Sequence, residues 1–196
     1  MAQPSTRLRV RRLALLAAVV TAGTALLATL AAPHEIVQAQ AAAEAPAPSV
    51  SAASQVAAGR YIVRIAGCND CHTAGYAAKD GQIPEADWLT GDSVGWRGPW
   101  GTTYAANLRL YVQAFTPETW VRSLRARKDR LPPMPWWSLD AMSDQDLKAV
   151  FAYLQSLGPK GDQMPSRVPP GEEPKSPYVD MAPKLPGGAP MPMPKP

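Results

Sequence analysis

An all-α domain, small and rich in loops, is what the chain predicts. Two stretches carry apolar residues at helical spacing, about 53–66 and 143–157. A hydroxyl, a proline and an acid in sequence open a third helix at Thr116-Pro117-Glu118. Between the first and the third, residues 73–115 hold many Gly, Asp, Trp and Thr and no sustained period, which reads as loop and short turns.

In the first helix Val56, Ile62, Ile65 and Ala66 are apolar, and Gly67 follows as a stop. Gly59, beside Tyr61, marks either a close helix crossing or an ordinary tolerated glycine. The helix opened at Thr116 runs to about 126 and buries Trp120, Val121 and Leu124. Arg122, Arg125, Arg127, Lys128 and Arg130 cluster at its end, and they read better as cations complementing a helix terminus than as a docking patch. Ser143-Asp144-Gln145-Asp146 resembles a capping box with Asp in place of Glu. Leu147, Val150, Phe151, Leu154 and Leu157 then form one apolar stripe, and Gly158-Pro159 stops the helix.

The ends of the chain differ from this core. Residues 1–12 carry four arginines, residues 13–32 carry no charge, and Ala39-Gln40-Ala41 offers a small-residue cleavage site. Basic, apolar, small is the order of a secretory signal, so residues 1–41 are expected to be a signal peptide, with an uncleaved N-terminal anchor through 13–32 as the alternative. Either route places the domain outside the cytoplasm, in a bacterial periplasm. Residues 42–52 read as a linker, 53–158 as the domain, and 159–196 as a largely irregular tail that holds 12 of the 22 prolines. Within the tail Pro177-Tyr178-Val179 is an apolar knot able to dock back on the domain. The net charge of +4 hints at nucleic acid, but residues 42–196 hold 16 basic and 15 acidic side chains, so the excess belongs to the leader and no nucleic-acid partner is expected.

The two cysteines lie in Cys68-Asn69-Asp70-Cys71-His72. Thiols three positions apart suit the two vinyl groups along one side of a porphyrin, and the adjacent His suits its iron; this pentapeptide is the c-type haem motif. A dithiol redox pair would sit after a strand in a βαβ unit, and the preceding residues read as helix. A structural zinc site needs four Cys or His ligands, and the only other histidine, His34, is in the leader. A plain disulfide would close too small a loop to stabilise much. One covalent haem c and its iron are therefore expected, on Cys68, Cys71 and His72. A buried porphyrin also explains a long loop inside a small domain, and Trp88, Trp96, Trp100 and Tyr104 are wall residues for it or ordinary core aromatics.

An iron held by one His leaves a sixth position. Met181, Met191 and Met193 lie in the tail and Met164 close to it, leaving Met134 and Met142. Met142 precedes the last helix, where it can form a hydrophobic staple with Leu147. Met134 stands in Pro132-Pro133-Met134-Pro135, a stiff segment suited to holding a thioether at a metal. Met134 is the expected sixth ligand; Met142 and an open site are the alternatives.

These features together resemble the class I c-type cytochromes. The likeness runs from about Gly59 to Gly158, through Gly59-Arg60-Tyr61, Gly67 to Thr73, Gly98-Pro99-Trp100-Gly101-Thr102-Thr103-Tyr104-Ala105-Ala106-Asn107, Pro133-Met134-Pro135 and the last helix. It is nearest to monohaem periplasmic cytochromes and to cytochrome subunits of membrane-bound dehydrogenases. The resemblance implies a small class I cytochrome c fold around one haem, His/Met ligation, and electron transfer without catalysis. It also implies redox donor and acceptor proteins, with a membrane-bound dehydrogenase or oxidase among them. By the same analogy Trp100, Tyr104, Asn107 and Pro133 belong to the haem pocket. Two departures stand out: the multihaem subunits carry several CxxCH motifs and this chain one, and their Asn-Ile-Thr is Asn107-Leu108-Arg109 here. The alternative function is a haem-based ligand sensor or small peroxidase with an open sixth site; a haem-free thiol redox protein is the third.

Overall fold

A computed structural model describes residues 48–189 and 191. The expected leader, its anchor segment and residues 42–47 of the linker lie outside them. Among the described residues no helix is long and apolar enough to cross a membrane.

The core is built on two long helices. Helix α1, Gln55–Ile65, starts where the Ser54 hydroxyl accepts the Ala57 N–H at 3.1 Å, and it turns Ala58, Gly59, Ile62 and Val63 inward. Helix α2, Cys68–His72, is a single turn entered through Gly67 at φ 68°, a left-handed position that glycine adopts without strain. Helix α3, Leu108–Tyr111, is capped by Asn107. Helix α4, Pro117–Arg125, has a reciprocal cap between Thr116 and Thr119. Helix α5, Trp136–Ala141, and helix α6, Asp144–Leu157, complete the helical part. The Ser143 hydroxyl accepts the Asp146 N–H at 3.0 Å, which is one half of the expected box. The Asp146 carboxylate does not complete it but accepts the N–H of Val50 at 2.8 Å, fastening the incoming chain. Leu147 is buried and Met142 packs half-buried against the core, as a staple requires.

Helices α1 and α6 meet at Gly59. A Cβ placed there would lie 2.0 Å from the carbonyl oxygen of Ala149 and 2.8 Å from Cβ of Tyr153. The obstacle is backbone, so the helices must part to admit a methyl group. Gly59→Ala is therefore expected to cost about 2–3 kcal/mol in urea unfolding, at the upper end for overpacked cores. A change below about 0.5 kcal/mol would mean that the crossing is loose. Around this contact Trp120, Phe151, Leu154, Val112 and Leu89 fill the core, with the Trp120 indole donating to the Leu147 carbonyl at 3.1 Å.

The all-α expectation is overturned by a three-stranded sheet. Strands β1, Gly95–Gly98, and β2, Gly101–Thr103, form a hairpin across Pro99-Trp100, with Gly101 at φ 92°. Strand β3, Tyr178–Asp180, runs parallel to β1, pairing Gly95 with Tyr178 and Arg97 with Asp180. On the other edge Val168 exchanges both backbone hydrogen bonds with Thr102, at 2.8 and 3.0 Å. The Pro-rich tail, expected to be largely irregular, thus clasps the hairpin from both edges. Arg97 strengthens the clasp by pairing with Glu173 and lying over the Tyr178 ring at 5.0 Å. The described residues mix helix and sheet; the sheet is hidden in the sequence because β1 and β2 are short and glycine-rich and β3 lies far along the chain, so no period of two shows.

Candidate functional site

The site grows from α2. Its one turn puts Cys68 and Cys71 near each other, both half-buried and both free thiols. Burial pushes the Cys68 thiol up to about 11, and burial followed by the charge of Asp70 pushes Cys71 up as well. Reactive dithiols have lowered pKa values that supply thiolate, so this environment is unfavourable to thiol redox chemistry.

His72 is 9 % exposed. Its Nδ1 lies 2.8 Å from the carbonyl oxygen of Ala106. A carbonyl only accepts, so Nδ1 carries the proton and Nε2 is left with its lone pair for a metal. Burial lowers the His72 pKa and favours the neutral ring, the form that ligates. A backbone carbonyl on the far nitrogen is also the usual way a metal-binding imidazole is fixed in tautomer and orientation.

Neighbouring segments hold α2 in place. The Thr73 hydroxyl donates to Asn69 Oδ1 and accepts the Leu89 N–H, both at 2.8 Å. Gly91 donates its N–H to the His72 carbonyl at 2.8 Å, and Thr73 bridges Gly91 in parallel. Leu89 is fully buried at φ 61°, a backbone position that β-carbons disfavour, and its carbonyl accepts from Leu108 and Arg109.

The remaining predicted site residues lie on three other segments. Trp100 is in the hairpin turn with its ring against Gly98, and its buried Nε1 has no protein acceptor. Tyr104 covers Gly95, and its hydroxyl is paired with that of Ser176 at 2.9 Å. Asn107 is buried: its Oδ1 accepts the N–H groups of Arg109 and Leu110, and its Nδ2 donates to the Lys160 and Asp162 carbonyls. Pro133 and Met134 are half-buried in the turn before α5. That turn is fixed to β2 by the Thr103 hydroxyl, which donates to the Pro132 carbonyl at 2.7 Å. Trp136 braces it from the other side, its indole donating to the Leu131 carbonyl at 3.1 Å. Trp88 instead belongs to the core, edge-on to Tyr76. Ala106, Thr73 and Arg109 escaped sequence reasoning. Ala106 acts through its backbone and carries no side-chain signal, whereas Arg109 is visible only as the departure from Asn-Ile-Thr.

The residues fit a covalently held haem. Two free thiols lie on one helical turn beside a neutral imidazole with an available Nε2. No family model matches the chain, and no solved structure matches it. The chain is similar to the fructose dehydrogenase cytochrome subunit of Gluconobacter japonicus, with 26 % identity over 120 residues. That match takes in 57 % of this chain but only 23 % of the relative, so the chain spans about a quarter of the protein it resembles. The similarity is that of a cytochrome-c-like protein, and it is consistent with electron transfer in general.

Proposed function

We propose that this domain is an electron carrier of the cell envelope, holding one haem c through thioethers to Cys68 and Cys71, with His72 and Met134 as axial ligands. The observation that carries the reading is the His72 Nδ1 bond to Ala106, which leaves Nε2 free to ligate a metal. Bound haem would supply a reversible one-electron centre. The chain's own residues do the rest. Gly67 turns the chain into α2, Ala106 orients the imidazole, and the core around α1 and α6 keeps water from one side of the motif. Its donor and acceptor are redox proteins, with a membrane-bound dehydrogenase as the partner that the relative's name favours. The signal-like leader supports a periplasmic location, free or anchored.

The test is expression with the cytochrome c maturation machinery, followed by acid-acetone extraction. Wild type is expected to keep its haem after extraction, and Cys68→Ser/Cys71→Ser to lose all of it. Haem extracted from wild type, or none bound at all, would refute the proposal.

A further inference from the structure

The start of the tail lies against the segments that hold His72. Asn107 directly follows Ala106, the residue whose carbonyl accepts the hydrogen bond from His72 Nδ1–H. Its Nδ2 donates to the carbonyls of Lys160 at 2.8 Å and Asp162 at 3.0 Å. Gly161, at φ 75°, lets the chain bend over that carboxamide; a Cβ there would be 3.3 Å from Nδ2. Lys160 is anchored again through Nζ, at 2.6 Å from Asp87 and 3.1 Å from the Ala86 carbonyl. Met164 then packs on Gly91, where a Cβ would meet its Cγ at 2.5 Å and the Ala105 carbonyl and Asn107 nitrogen at 2.9 Å. Gly91 is the residue that donates to the His72 carbonyl.

We propose that residues 160–164 are a strap, drawn in by Asn107, which holds the Ala106 carbonyl on the Nδ1–H of His72, so that Asn107 is a positioning residue for the axial imidazole. This rests on the reading of His72 as an axial ligand. Ala106 sits in a loop where no strand or helix ladder fixes its carbonyl. Movement of that carbonyl would free the ring to rotate. The strap presses on both neighbours of the bond: on Asn107, next to the acceptor, and on Gly91, bonded to the donor's own backbone. Asn107 serves two partners with different atoms, Oδ1 for the α3 cap and Nδ2 for the strap. Serine also caps helices well but has no amide N–H to give, so Asn107→Ser separates the two tasks.

The test follows the exchange of the His72 Nδ1 proton by NMR in full-length, ferrous protein labelled with ¹⁵N-histidine. The chain has only two histidines, which makes assignment direct. The amides of Val150 and Leu154 in α6 serve as internal reference. In Asn107→Ser the His72 proton is expected to exchange about tenfold faster or more, with the α6 amides unchanged, as local rather than global opening requires. An unchanged His72 proton would overturn the strap. Equal acceleration of the proton and the α6 amides would also overturn it, since Asn107 would then be merely structural. If Asn107→Ser does not fold, Met164→Ala decides by the same criteria. The pyridine haemochrome of each sample keeps the two readings apart. A chain without haem refutes axial ligation, while the Nδ1 proton, present with or without haem, judges the strap.

Discussion

Arg109→Met will destabilise the domain by about 3 kcal/mol in urea unfolding, because the half-buried Leu157 and Gly158 carbonyls lose a charged donor at once, each unsatisfied group costs roughly 1–3 kcal/mol, and only the Ala86 carbonyl keeps another donor, Lys160. Arg109 is only 5 % exposed. Its Nε donates to the Gly158 carbonyl at 2.6 Å, Nη1 to the Ala86 carbonyl at 2.7 Å, and Nη2 to the Leu157 carbonyl. Two of these acceptors are the last carbonyls of α6, which have no partners within the helix and sit at its negative end. Burial draws the Arg109 pKa below the ordinary arginine value, but a guanidinium remains charged in proteins, and here no carboxylate bonds to it directly. The planar fork thus joins α3, the turn at Glu85–Asp87 and the end of α6. Methionine fills a similar volume without a donor. Arg109→Lys, a single point charge, should recover only part of the loss. A loss below about 1 kcal/mol for Arg109→Met would mean that water replaces the fork, and the side chain would not be the joint described.

The same residue shows where sequence reasoning stops. Helices α1, α4 and α6 were legible to within two residues, since their caps at Ser143 and Thr116 and their apolar stripes are local patterns. The sheet was not. Gly95–Gly98 has two glycines in four positions, and its parallel partner lies in a proline-rich tail whose composition suggests no strand at all. Tyr178 and Val179 are legible as an apolar knot, but nothing local says that β1 receives them. Within the site, Cys68, Cys71 and His72 are adjacent in sequence because one helical turn must present them together. Their support is non-local: a carbonyl at 106, a hydroxyl at 73 reaching the backbone of 89, and a carboxamide at 107 reaching carbonyls at 160 and 162. Asn107 was assigned to the pocket by resemblance; in the structure its side chain serves α3 and the tail. Backbone acceptors have no signature in sequence, so this outer layer appears only once the chain is folded.

Met134→Ala is expected to abolish the weak near-infrared band that reports Met sulfur on ferric iron. It should also lower the reduction potential by hundreds of millivolts, within the roughly 0.8 V that axial ligands span. Met142→Ala should leave both unchanged. The choice between them follows from what each side chain already does. Met142 closes α5, its N–H on the Leu139 carbonyl at 3.3 Å and its own carbonyl on Arg125 at 2.6 Å, and its side chain packs against the core. Met164 is seated against Gly91. Met134 stands in a turn whose backbone is held by Thr103, by the Trp136 indole and by a Trp136 N–H to its own carbonyl at 2.9 Å. Arg127 lies over the Trp136 ring at 5.1 Å and steadies the same brace. A turn fixed at its backbone presents a thioether with little backbone entropy left to lose, which helps a soft, neutral ligand to compete for iron. Carbon monoxide should bind the ferrous wild type slowly, because Met134 must leave first, and the ferrous Met134→Ala protein rapidly. Rapid binding by wild type, with spectra that neither substitution alters, would mean an open iron. The chain would then be a ligand sensor or a small peroxidase rather than a carrier.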